Sequence, residues 1–222
     1  MIKMRRVILL FLLFTGIVRG YTQDIEYARF IVKTLSSDEF KGRGYVGKGD
    51  KEAADFIVEQ FKKYRLISFG KTYLQKYSFA INTFPGKMEV AVDNLELIPG
   101  KDYVVSLASK GVNATYELEW LINDSIAESS RWVELSKLDL SQKLVVTDKF
   151  HKNLAEANLL NAAGYIFIKD SNEVISWKAS NGRILKDFLV MDIRKEKLEK
   201  TTQRISIFFK NKYEEHYQTQ NI

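Results

Sequence analysis

Thirty residues from Leu35 to Tyr64 constrain this chain more than any other stretch. They read LSSDEFKGRGYVGKGDKEAADFIVEQFKKY. Gly42, Gly44, Gly47 and Gly49 fall within eight residues, so the loop can take left-handed φ angles and bring backbone close to backbone. The loop opens straight into a segment with Ala53, Ala54, Ile57, Val58, Phe61 and Tyr64 at helical spacing, which predicts a helix with one buried face. Asp50 stands where it would cap the first turn, with Glu52 just inside it. Lys62, Lys63 and Arg65 gather at the opposite end, where cations suit the helix dipole. Two roles are open to the loop: an anion cradle at the helix N-terminus, or a tight loop docked on a neighbouring surface. Gly42-x-Gly44-x-x-Gly47 has the spacing of a phosphate-binding turn, but no hydrophobic strand precedes it, which favours docking.

The chain begins with Lys3, Arg5 and Arg6, followed by an apolar run from Val7 to Val18. This is the pattern of a secretory signal over residues 1–20, and the run is short for a membrane span. It implies an exported protein, periplasmic or extracellular, with no stable membrane association once the signal is removed. The sequons Asn113-Ala114-Thr115 and Asn123-Asp124-Ser125 would matter only in a eukaryotic secretory pathway. Net charge is +6, but without residues 1–20 it is +2, from 30 basic and 28 acidic residues. That gives no case for a nucleic-acid partner. The absence of cysteine excludes disulfides, thiolate metal sites and a thiol nucleophile.

Further elements follow in order. Asp24–Leu35 is expected to be a helix with Ile25, Ala28, Val32 and Leu35 on one face. Tyr73 to Ile81 alternates as a strand, and Pro85-Gly86 marks a turn and boundary. Short strands are expected at Met88–Val92, Leu95–Leu97, Tyr103–Leu107, Thr115–Ile122, Lys143–Val146, Tyr165–Ile168, Phe188–Ile193 and Arg204–Phe209. A helix is expected over Leu154–Ala163, ending at Gly164, and a short one near Lys195–Lys200. Strand, helix and strand over 143–168 suggest a parallel crossover. The fold class is therefore α+β: two N-terminal helices, then a β-rich region with a strand–helix–strand unit.

Chemistry-bearing constellations are scarce. The two histidines, His151 and His216, are 65 positions apart, and Glu214-Glu215-His216 reads as a solvated charged turn rather than a metal site. There is no nucleophile elbow. Trp120, Trp132 and Trp177 could form a peptide or glycan platform, though core positions are the commoner use.

Two stretches carry a family resemblance. The turn with Asp38, Glu39, Gly42 and Arg43, and the helix with Ala53, Ala54, Phe56 and Ile57, resemble the N-terminal region of secreted di-zinc aminopeptidases of metallopeptidase family 28. This is the group related to aminopeptidase Y, glutamate carboxypeptidase and the transferrin receptor. The segments LDLSQKLVVTDKF, EANLLNAAGYIFI and FLVMDI resemble a protease-associated domain, with Ser141-Gln142 where that domain often has a glycine. The resemblance implies a signal peptide at 1–20, an N-terminal helical segment at 24–80, a protease-associated-like domain at 87–212, and the start of a catalytic domain at 213–222. Asp38, Glu39, Gly42, Arg43 and Gly44 would form a docking loop.

In that family two histidines, bridging carboxylates and a glutamate base hold zinc and activate water. None of these ligands is matched here, so no catalytic and no metal-binding residue is assigned. The resemblance implies zinc only in a complete enzyme, and a chain that is inactive by itself. It would be the pre-catalytic part of a larger protein, or a truncated or split product. Its partner would be the catalytic domain, in cis or in trans, with a peptide substrate as a second candidate. The alternative is a free-standing exported module that binds a peptide, glycan or protein.

Overall fold

The computed structural model describes residues 24–121, 127–148, 157–175 and 186–222. The expected signal sequence, His151, Trp177 and the sequon at Asn123 lie outside these residues, as does the part of the expected Leu154–Ala163 helix that precedes Ala157. The described residues hold α1 (Ile25–Leu35), α2 (Gly49–Lys63) and α3 (Ala127–Leu135). The strands are β1 (Gln75–Thr83), β2 (Glu89–Val92), β3 (Leu95–Leu97), β4 (Tyr103–Val105) and β5 (Val112–Leu121). They continue with β6 (Lys143–Thr147), β7 (Gly164–Lys169), β8 (Leu189–Arg194), β9 (Arg204–Phe209) and β10 (Lys212–Asn221). Helices beside a large mixed sheet make the fold α+β, as expected.

Eight strands form one sheet in the order β3-β2-β9-β5-β6-β7-β8-β4. Strands β5, β6, β7 and β8 run parallel to one another, as the crossover pattern requires, and β9 and β4 flank this set antiparallel. β6, β7 and β8 are nearly continuous apolar runs because both their faces are covered. Leu144, Val146, Ile166 and Met191 enter one core; Val145, Tyr165, Phe167 and Val190 enter the other.

The sheet must also curl. β3 and β4 stand at opposite ends of the strand order, yet only residues 98–102 join them. Eight flat strands would set their edges roughly 34 Å apart, and so short a link spans about 20 Å. The curl is visible in the first core, where Val90 and Leu97 from one end share a cluster with Tyr103 and Val105 from the other. The link itself is a tight turn in which Asp102 accepts a hydrogen bond from Ile98 N at 2.9 Å.

β1 and β10 stand apart as a two-stranded antiparallel ribbon, with Phe79 opposite Tyr217 and a register shift between Phe79 and Ile81. The ribbon brackets the whole eight-stranded unit. A buried amide network joins the two. Asn82 Nδ2 donates to the carbonyls of Leu107 and Ser109 at 2.9 and 2.6 Å, and Asn211 Nδ2 donates to Asn82 Oδ1 at 2.9 Å.

Several local expectations need correction. The helix expected up to Ala163 has ended by Asn158, which is left-handed, as is Asn161 (φ 46° and 50°). The Asn158 side chain clasps Ala162 through both its oxygen and its nitrogen, closing a turn that a helix cannot make. Gly164 is not a helix cap but the first residue of β7. A Cβ there would lie 2.3 Å from the Leu189 carbonyl oxygen, so glycine permits the approach of β8. α3 was not anticipated: its segment is largely polar, and Trp132 and Leu135 carry its contact with the second core. Glu214-Glu215-His216 is not a turn but the middle of β10.

Candidate functional site

The glycine-rich loop folds onto the start of α2 through backbone geometry. Asp38–Arg43 forms a short 3-10 turn in which Lys41 and Gly42 are left-handed (φ 48° and 66°). Phe40 is the buried anchor of this turn, edge-on to Phe56 of α2 at 5.6 Å. Gly47 and Lys48 are left-handed as well (φ 70° and 65°). Gly49 then packs so closely beneath the turn that a Cβ would meet the Phe40 carbonyl oxygen at 2.3 Å. Lys41 Nζ closes the loop by donating to the Gly47 carbonyl and to Glu52, each at 3.0 Å. Asp50 N donates to the Gly44 carbonyl at 3.1 Å, so this first-turn amide serves the loop itself.

Of the expected docking-loop residues, Asp38, Glu39, Gly42 and Arg43 are exposed and Gly44 is half-buried. Glu39, with Phe40, Lys41, Glu52 and Phe56, lines an open depression between the turn and α2.

Asp50 does not cap α2. The residue before the helix, Lys48, is left-handed and makes no side-chain cap. The Asp50 carboxylate crosses instead to β10, where it accepts from Tyr217 Oη and Thr219 Oγ1, each at 2.8 Å. Burial first, and the Asp50 carboxylate second, hold the Tyr217 phenol protonated well above its ordinary range. Tyr45, Phe79 and Tyr217 form a ring cluster around this contact, with Lys51 Nζ 5.3 Å from the Tyr217 ring centre. The loop, α2, β1 and β10 are thus one unit, although the chain enters it at both ends. Sequence reasoning missed Tyr217 and Thr219; an acid directly after a glycine gives no hint of partners so far along the chain.

α1 presents a second surprise. Asp24 caps it, accepting from Tyr27 N at 3.0 Å. Its contacts with α2 run through Tyr27 and Phe30, which meet Tyr64 and Phe56. No residue of α1 is buried. On the face expected to be its core, Ile25, Ala28 and Val32 look outward, Ile25 and Val32 with 57% and 65% of their surface exposed. Leu35 alone of that set is half-buried.

No three His, Asp or Glu side chains among the described residues lie close enough to hold a metal ion. His216 is exposed on β10, and its neighbour Glu214 pairs with Lys212 at 2.6 Å. Trp120 packs on the first core and donates to the Thr202 carbonyl at 3.3 Å, and Trp132 packs on the second core, so these two form no shared platform.

No family model and no curated protein sequence matches the chain. Solved structures do. A zinc aminopeptidase from Bacillus subtilis superposes with a TM-score of 0.55 at 15% identity, covering 87% of this chain and 45% of that one. The aminopeptidase from Aneurinibacillus sp. strain AM-1 superposes with a TM-score of 0.50 at 14% identity, covering 87% and 46%. The chain shares their fold. It spans just under half the length of these aminopeptidases, so the likeness is to a part of each.

Proposed function

We propose that the chain is the non-catalytic N-terminal portion of a secreted, zinc-dependent aminopeptidase of peptidase family 28. The loop at Asp38–Gly44, α1 and α2 brace a catalytic domain supplied in cis or in trans. The eight-stranded unit serves as a protease-associated lid that helps select peptide substrates. The observation that carries this reading is the outward stripe Ile25–Ala28–Val32. A helix that packs with one face and leaves a second apolar face in water is half of a larger interface. The shared fold with under half of two aminopeptidase chains supports the same reading. Zinc would then belong to the catalytic domain.

The test is an aminopeptidase assay of the purified chain, with zinc added, on chromogenic amino-acyl substrates. No release is expected. Metal-dependent release of N-terminal residues would overturn the proposal. The free-standing module is separated from it by the stripe: a module would keep α1 protected and show cooperative, monodisperse behaviour.

A further inference from the structure

We infer that the loop from Tyr64 to Leu74 is a docking site for an anionic lipid surface. Two of its side chains stand almost wholly in water, Ile67 at 93% and Phe69 at 114% of their reference exposure, with Leu66 beside them at 50%. Such tips are costly in solution and are suited to insertion just below a headgroup layer.

The surroundings are basic. From Gln60 to Asn82 the chain holds five cations, Lys62, Lys63, Arg65, Lys71 and Lys76, and no acid. Of the acids at this end of α1 and α2, Glu59 pairs with Lys62 and Glu26 with Arg29, each at 2.7 Å, Asp24 caps α1, and Asp55, one turn back on α2, also acts on Lys62, so the collar consists of Lys63, Arg65, Lys71 and Lys76.

The loop is built, with its tips held outward by internal bonds. α2 closes with Leu66 N donating to the Phe61 carbonyl and Arg65 N to the Lys62 carbonyl, which leaves Arg65 left-handed at φ 54°. Glycine is the easy residue at that position, and here a cation takes it. Tyr73 packs on Phe61 and donates to the Leu66 carbonyl at 2.5 Å; Ser68 Oγ donates to the Gly70 carbonyl at 2.6 Å. Apolar tips within a basic collar complement an anionic bilayer, where each nearby cation strengthens binding about fivefold. Contact here is peripheral: among the described residues no helix is long and apolar enough to cross a membrane. The inference stands apart from the aminopeptidase reading, since a lipid contact at this loop needs neither zinc nor a catalytic domain.

The chain has no cysteine, so a single one carries a unique label. An environment-sensitive fluorophore at Gly70→Cys, where a Cβ meets open space, reports on this loop in the full chain whatever residues 1–20 do. A second label at the distant, exposed Ser136→Cys is the control. On vesicles of phosphatidylglycerol and phosphatidylcholine the loop label is expected to brighten while the control does not. On phosphatidylcholine alone it stays dim. Combined Ile67→Ser and Phe69→Ser abolish the change, Lys71→Gln weakens binding about fivefold, and raising salt to roughly 0.15 M weakens it further. No brightening on anionic vesicles overturns the inference. So does brightening that survives the double substitution, or brightening without lipid as the chain is concentrated, which would assign the loop to a protein contact.

Discussion

Asp50 and Tyr217 are hydrogen-bonded at 2.8 Å across a sequence separation of 167 residues. With Thr219 on the same carboxylate, the contact fastens the start of α2 to the final strand. The eight-stranded unit lies between the two in sequence, so it is held at its base by both of its connections. Asp50→Ala removes a charged acceptor from two hydroxyls and is expected to destabilise the chain by about 2 kcal/mol. Tyr217→Phe should cost roughly 1 kcal/mol, and the double-mutant cycle should show coupling. Urea unfolding measures both; additive losses would mean that the carboxylate and the phenol do not act together.

Two glycines of the loop should respond differently to alanine. Gly49→Ala drives a Cβ to 2.3 Å from the Phe40 carbonyl oxygen, which neither backbone can relieve, so at least about 3 kcal/mol or loss of soluble protein is expected. Gly42→Ala meets open space and pays only for its left-handed φ of +66°, about 1 kcal/mol. Equal losses in thermal or urea unfolding would contradict the close approach at Gly49.

Asn82 should be the costliest polar position between ribbon and sheet. It is fully buried and satisfies two carbonyls and the Asn211 amide. Asn82→Ala leaves all three without a partner and is expected to cost about 3 kcal/mol. A loss within experimental error would show that water replaces the side chain.

Tyr103 makes alkaline stability measurable. Its hydroxyl is buried in the first core without a hydrogen-bond partner among the described residues. Burial, then the Glu96 and Glu89 carboxylates, pushes the phenol from 10.0 up to about 12. A raised folded-state value means that its contribution is fully present below about 10, where the phenol is protonated folded and unfolded. It is lost as the pH rises toward about 12. Tyr103→Phe should be neutral or up to about 1 kcal/mol stabilising at pH 7, and should flatten this alkaline loss. A pH series of urea midpoints checks both parts.

What the sequence made legible follows from how each element is buried. β3 lies at Leu95–Leu97 and β9 at Arg204–Phe209, both as expected, because alternation and turn residues are local signals. The parallel strands β6 to β8 announced themselves as apolar runs because both their faces are covered. β10 did not. Only Tyr217 and Thr219 are buried on it, and its partner β1 lies far back in the chain, so Glu214-Glu215-His216 at its centre read as a solvated turn.

Asp50 was misplaced for a related reason. Propensity rules compare an acid with its nearest amides, and the competing acceptor role was set by strands outside any local window. On α1 the apolar period was right and the face was wrong. Tyr27, a residue outside the apolar set, makes the aromatic contact with α2, and the regular stripe is left to another surface. Asp38–Arg43 folds as one turn, organised by Phe40 beneath it and Gly49 against it; the run of glycines signalled the close backbone approach, whereas Phe40 was not singled out.

The most direct test of an unfinished interface is hydrogen exchange on the purified chain, comparing α1 with β6 and β7. If α1 and its Ile25–Val32 stripe await a catalytic domain, α1 amides should exchange orders of magnitude faster than the core strands, through local opening well below the global unfolding free energy. Protection of α1 equal to that of β6 and β7 would mean the stripe is already complete, and would contradict the account.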